Sequence, residues 1–157
     1  MVREFSAGGV VTRRIRGQWH IAAIEPNRSE TARKSALAPV LALPKGLVDA
    51  GEKPDQTAVR EVFEETGLTA EVITKLKDIK YIYVRSWGDG ERVFKIVSFY
   101  LLRYRSGNIG EISQEMRVEV RQALWVPLEE ARQKLAYKGE REVAAMAANY
   151  LAEHPQP

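Results

Sequence analysis

Residues 46–68 read GLVDAGEKPDQTAVREVFEETGL, and the groups in this stretch able to do chemistry are carboxylates and one guanidinium. Glu61, Glu64 and Glu65 are spaced three and four apart, so on a helix they are neighbours on one arc. Arg60 stands beside them, and Glu52 lies in the loop ahead. Three crowded carboxylates repel one another, and here they fall near the negative end of the helix dipole. Local stability does not account for that choice. A divalent cation does, because hard cations such as magnesium take carboxylate oxygens. The competing reading is a solvated acidic face with Arg60 pairing Glu64, since acidic helix faces are common.

The elements that must position these groups are a glycine-containing loop and a helix. Gly46 and Gly51 belong to the loop. Pro54 suits the first helical position, where it has no N–H to waste. Asp55 favours the positive end of the dipole, and Gly67 is placed to close the helix in a left-handed conformation. Ala58, Val59, Val62 and Phe63 form an apolar arc expected to be buried, with Glu61, Glu64 and Glu65 on the opposite arc.

Gly46, Glu52, Arg60, Glu61, Glu64, Glu65, Gly67 and Leu68 match without departure the signature of the Nudix hydrolase family. The preceding Leu43, Pro44, Lys45 and Gly46 resemble its common lead-in, although many relatives carry a tryptophan where this chain has Leu41 and Ala42. The resemblance is specific over this stretch and looser over most of the chain. It implies an α/β fold of the α+β kind, a mixed β-sheet sandwiched between helices, in a single domain over 1–157. It implies hydrolysis of a nucleoside diphosphate derivative by attack of water on phosphorus, with Mg2+ or Mn2+ as cofactor. Glu61, Glu64 and Glu65 would be metal ligands together with the Gly46 carbonyl. Glu61 or a downstream glutamate would act as base, and Arg60 would pair Glu52 to tie the loop to the helix. Glu119 is the best match for the downstream glutamate and metal ligand, ahead of Glu115. The competing reading leaves both in a solvated loop.

Composition bounds the alternatives. The length of 157 residues suits one domain with a substantial core. The absence of cysteine excludes disulfides and thiolate zinc sites, and His20 and His154 alone cannot build a histidine-rich metal site. No long apolar run or signal-peptide core is present, so a cytoplasmic enzyme without membrane association is expected. The net charge of +3 is small and its basic residues are interleaved with acids, so no nucleic-acid stripe stands out.

In chain order, residues 3–13 read as a strand with Gly8 and Gly9 inside it, the mark of a bulge or a close approach. A turn made by Arg13, Arg14, Arg16 and Gly17 leads to a second strand over 19–24, forming a hairpin. Residues 25–38 read as a charged loop in which Arg28, Arg33 and Lys34 either reach phosphates or are solvated. Residues 40–43 read as a short strand, 70–77 and 79–84 as two more, and 85–91 as a turn with Trp87. The strongest strand covers 92–104 and is interrupted by Lys95, at an edge or facing a site. A last strand over 123–126 precedes helices over 127–135 and 140–153. Val143, Met146, Ala147 and Tyr150 pack the core, and His154 falls in an unstructured tail.

The resemblance bears on substrate through Lys45, Lys95 and Tyr83. Relatives that cleave dinucleoside polyphosphates often have a lysine in the context of Lys95 and tyrosines near Tyr81 and Tyr83. Those that cleave ADP-ribose tend to carry a proline in the window 80–87, which has none here. Diadenosine polyphosphates are therefore the favoured nucleotide. House-cleaning nucleoside triphosphate hydrolysis, ADP-ribose cleavage and removal of pyrophosphate from RNA 5′ ends are the alternatives. A nucleotide-sensing, non-catalytic domain is the alternative outside enzymes. Sensors of this kind usually have degraded motifs or a second domain, and this motif is intact.

Overall fold

β1 (Val2–Ile15) is the strand to which the rest of the sheet is referred. Arg16 and Gly17 both have positive φ, 53° and 78°, as a two-residue hairpin matched to the twist of its strands requires. They turn the chain into β2 (Gln18–Pro26), which pairs antiparallel with β1 from Thr12–Ile21 to Ile15–Gln18. The other strands are β3 (Lys45–Leu47), β4 (Thr69–Val84), β5 (Arg92–Ser106) and β6 (Val120–Pro127). Among the described residues these make a mixed sheet in the order β4-β5-β1-β2-β6. The β1–β5 pair is parallel, and β3 joins β1 off that path. The computed structural model describes residues 1–27, 40–85, 88 and 90–155. Arg28, Arg33, Lys34 and Trp87 lie outside the described residues.

β1 and β2 are paired only near their turn, and residues 42–47 fill the opening between them. Ala42 exchanges both backbone hydrogen bonds with Ile24, Gly9 N–H donates to Pro44 O, and β3 pairs with Ser6, Ala7 and Gly8. The expected strand over 40–43 is therefore extended chain with isolated bridges, Ile24 to Ala42 and Leu41 to Leu135. The regular strand starts later, at Lys45. The two strands expected over 70–84 are one, β4. Its pairing with β5 shifts register three times, between Thr69 and Ala70, Val72 and Thr74, and Lys75 and Lys77. Such bulges break the alternation that marks a continuous strand. β2 extends to Pro26, so Glu25 is strand rather than loop.

Helix α1 (Pro54–Thr66) covers one face of the sheet, and α2 (Leu128–Lys134) and α3 (Lys138–Glu153) cover the other. Successive strand residues point to opposite faces. Val10 and Leu101 pack with Val143, Ala147 and Leu151 of α3, while Val11 and Leu102 pack with Val62 of α1. Two apolar expectations and one on the tail are corrected. Phe63 is 56% exposed and Met146 38%. His154 is ordered, its ring stacked on Tyr150 with centroids 4.1 Å apart and its Nδ1 3.0 Å from Tyr150 O. Among the described residues no helix is long and apolar enough to cross a membrane.

Helix α1 ends as expected, with Gly67 at φ 84° and its N–H donating to Phe63 O. A Cβ there would lie 2.5 Å from Glu111 O, whereas one on Gly51, at φ 79°, would meet nothing within 4 Å. Both substitutions to alanine carry left-handed strain of about 1–2 kcal/mol. Gly67→Ala adds a collision with backbone. Urea unfolding should therefore show a larger loss for Gly67→Ala than for Gly51→Ala. Equal losses would assign the whole cost to φ.

Candidate active site

The inward arc of α1 keeps Ala58, Val59 and Val62 of the expected one but not Phe63. Ala58, Glu61, Val62 and Glu65 follow the i, i+3, i+4, i+7 pattern, and Glu61 and Glu65 are 9% and 6% exposed. Two of the three carboxylates thus share the inward arc with the core residues, and Phe63 is rotated off it. The inward arc is wider than a purely apolar pattern indicates because the residues it meets at this point are Lys45 and Gly46. Glu65 Oε1 lies 3.4 Å from Lys45 N. A Cβ on Gly46 would lie 2.2 Å from the Glu61 carboxyl carbon, so only glycine lets that carboxylate rest on the backbone.

Arg60 binds loop and helix into one unit. Its Nε and Nη2 form a fork on Glu52, at 2.8 and 2.9 Å. Nη2 also donates to Leu47 O at 2.9 Å. Nη1 donates to Glu61 at 2.9 Å and to Glu64 at 3.2 Å. Glu52 is further fixed by Thr57 Oγ1 at 2.6 Å and Asp49 N–H at 3.2 Å. The Arg60 hydrogen bonds, ahead of those from Thr57 and Asp49, hold the Glu52 carboxyl down from its ordinary 4.5 to about 2. Burial acts the other way on the neighbouring pair. It raises Glu61, and it pushes Glu65 up to about 9, helped by the neighbouring Glu61 carboxyl.

The other expected residues are placed as follows. Lys45 Nζ is 2.7 Å from Glu140 Oε2 and 5.5 Å from the centre of the Tyr137 ring. It forms part of the wall of a cavity of about 410 Å³ shared with Tyr81, Val97, Phe99, Tyr137 and Glu140. Lys95 is on an interior strand, not an edge. It sits opposite Tyr81 in register, and its Nζ is 3.3 Å from Glu4 Oε1. Tyr83 Oη donates to the same Glu4 carboxylate at 3.0 Å. Glu119 is exposed, after the 3₁₀ turn Met116–Val118, and its carbonyl accepts Asn27 N–H at 2.9 Å. Among the described residues no hydrogen bond or ion pair joins Glu119 or Glu115 to Glu61, Glu64 or Glu65. Arg60, Glu52, Glu61, Glu64 and Glu65 are therefore brought together, with Gly46 and Lys45. Glu140 and Glu4 were missed by sequence reasoning. Each is one acid among many, distant in sequence from its partner, and only the fold pairs them.

The donor set fits a divalent cation. It offers only oxygens, two of its carboxylates are buried side by side, and Gly46 leaves space for one of them against the backbone. Among the described residues no three acidic or histidine side chains converge on one point, and Glu64 is bonded to the Arg60 guanidinium.

A mixed sheet wedged open by a loop, with a carboxylate-bearing helix fastened to that loop by an arginine, defines a class of α+β protein. The chain belongs to the NUDIX domain family, whose model matches residues 7–147. It is 40% identical over 146 residues to a Mycobacterium tuberculosis (strain CDC 1551 / Oshkosh) protein carrying the name mutator protein MutT4. That match covers 93% of this chain and 55% of the relative, so the chain spans about half the relative's length. Its fold is similar to that of a C. elegans Ap4A hydrolase solved as a binary complex, with TM-score 0.70 and 22% identity over 96% of this chain and 98% of that one. It is also similar to the NUDIX domain of Shewanella oneidensis NrtR solved with ADP ribose, with TM-score 0.65 and 17% identity over 96% and 90%.

The Glu52 environment predicts an acid-sensitive loop. Its carboxyl is depressed in the folded state, so its contribution is complete above about pH 4.5 and is lost as pH falls toward 2. Urea unfolding at stepped pH should show wild type losing stability relative to Glu52→Gln across that window. Parallel pH profiles for the two proteins would refute the assignment.

Proposed function

We propose that the chain is a divalent-cation-dependent hydrolase of pyrophosphate linkages in nucleotides. The carrying observation is the buried Glu61–Glu65 pair set against Gly46 and fastened by the Arg60–Glu52 fork. When bound there, a divalent cation would neutralise pyrophosphate oxygens and acidify an attacking water. Glu61, Glu64 and Glu65 would hold the cation together with the Gly46 carbonyl. Arg60 does not touch substrate in this reading: its donors are committed to Glu52, Leu47 and the carboxylates, so it keeps loop and helix in register. Glu61 or Glu119 would take the proton from water.

The favoured substrates are diadenosine polyphosphates. Support comes from the cavity beside Lys45, which has Tyr81 and Tyr137 in its walls for stacking a base. Lys95 lies opposite Tyr81 in register, and in this reading its ammonium holds a distal phosphate as a point charge. A second reading, a nucleoside triphosphate pyrophosphohydrolase of the house-cleaning kind, is favoured by the Glu4–Lys95 ion pair. That pair already neutralises the lysine a longer phosphate chain would use.

Phosphate release from a nucleotide panel with Mg2+ tests the reading. Glu64→Gln and Glu65→Gln should each lower turnover by about 100-fold or more while the fold stays intact. Near wild-type rates at saturating Mg2+ would remove both from the cation site.

Within the same panel, diadenosine tetraphosphate should have a higher kcat/KM than ADP-ribose. Lys95→Ala should cost the tetraphosphate more than ADP-ribose. Preference for ADP-ribose, or equal losses on both, would discard the dinucleoside reading and leave the hydrolase standing.

A further inference from the structure

The lead-in to Gly46 is extended chain that bonds in two directions. Ala42 and Pro44 face the sheet, where Ala42 exchanges hydrogen bonds with Ile24 at 2.8 and 2.9 Å and Pro44 O accepts Gly9 N–H at 3.2 Å. Leu41, Leu43 and Lys45 face the corner between α2 and α3. Leu41 O accepts Ala136 N–H at 3.0 Å. Leu43 N–H donates to Glu140 Oε1 at 2.7 Å, and Lys45 Nζ pairs with Glu140 Oε2 at 2.7 Å. On this side a single carboxylate stands where a strand would otherwise supply acceptors.

Glu140 is 3% exposed, in the first turn of α3, where the dipole favours an anion. A buried carboxylate is tolerated only when its oxygens are bonded. Both oxygens of Glu140 are bonded, and both bonds go to the segment that ends in Gly46. Lys45 completes the connection, because its side chain meets Glu140 while its N–H faces Glu65.

The geometry points to Glu140 as a positioning residue for the hydrolytic site, clamping Leu43 and Lys45 so that Gly46 is set against Glu61 and Glu65. This rests on the hydrolase reading above. Glu140 also borders the cavity, and the two roles separate cleanly. Positioning the loop alters cation affinity and kcat, whereas a contact to the nucleoside alters KM.

The experiment compares wild type, Glu140→Gln, Glu140→Ala, Lys45→Met and the double variant of Lys45→Met with Glu140→Gln. Mn2+ binding is followed by electron paramagnetic resonance without substrate, kcat and KM are measured with Mg2+ on the best nucleotide of the panel, and Tm is recorded. In Glu140→Gln, Mn2+ affinity and kcat should each fall about tenfold with KM within about twofold of wild type. Lys45→Met should add little to Glu140→Gln, since both break one bond. Should Glu140→Ala fail to fold, the isosteric Glu140→Gln decides. A lowered Tm with unchanged Mn2+ affinity and kcat overturns the proposal, as does a rise in KM alone. If wild type hydrolyses no nucleotide, the hydrolase reading fails, and the Mn2+ titration still decides for or against the clamp.

Discussion

The Arg60 guanidinium is the interaction on which the site depends. A planar fork with five donors can take two oxygens of Glu52 and still reach Leu47 O, Glu61 and Glu64. A lysine at this position would offer a point charge and could not hold the loop and two helical carboxylates at fixed angles. The geometry also answers part of the electrostatic problem set by the sequence. Three carboxylates near the end of a helix need a cation nearby, and the protein supplies one of its own to Glu61 and Glu64. The same contact orders the loop between Gly46 and Pro54, whose conformational entropy would otherwise oppose any defined site.

Around that fork the protein keeps two carboxylates out of water, which is costly unless they are compensated. The compensation is unequal. Glu61 is bonded to Arg60, whereas among the described residues Glu65 meets Lys45 N–H at the long distance of 3.4 Å and its neighbour Glu61. Burial therefore raises Glu65 while the fork depresses Glu52, although the two residues belong to one loop–helix unit. Opposite shifts within one loop–helix unit are the pattern expected of a site that carries chemistry, and structural ion-pair networks produce it too.

The motif residues and the bounds of α1 were legible because both depend on local rules: proline at the first turn, glycine at a left-handed end, and fixed spacing. The mixed α+β sheet was expected from the family resemblance, while local rules gave only its β1–β2 hairpin and the long apolar run of β5. The face of the helix that turns inward was only partly legible. An apolar arc assumes an apolar partner, and Phe63 was assigned to the core on that basis. The partner of Glu61 is instead the bare backbone of Gly46, which no periodicity records. The ion pairs of Lys95 with Glu4 and Lys45 with Glu140 were equally hidden, since each joins residues about 90 positions apart. Their pairing is a property of β1 lying beside β5 and of α3 lying over the lead-in.

The glycines of β1 and the loop follow from the same crowding. The lead-in must enter the gap between β1 and β2, and α1 must lie close enough to bring Glu61 to Gly46. A Cβ on Gly8 would lie 2.4 Å from Pro44 O, and one on Gly9 would lie 2.5 Å from Leu102 and 2.9 Å from Val62. Gly8 thus admits the wedge, Gly9 admits the helix, and Gly46 admits the carboxylate that the helix carries. None of these three depends on a left-handed backbone, because positive φ occurs elsewhere, at Gly17, Gly51 and Gly67 among others. What they share is close approach of chain to chain. The pair Gly8 and Gly9 marks a place where the protein's own backbone and side chains come near, and the position of the proposed cation site is set by that contact before any ligand arrives.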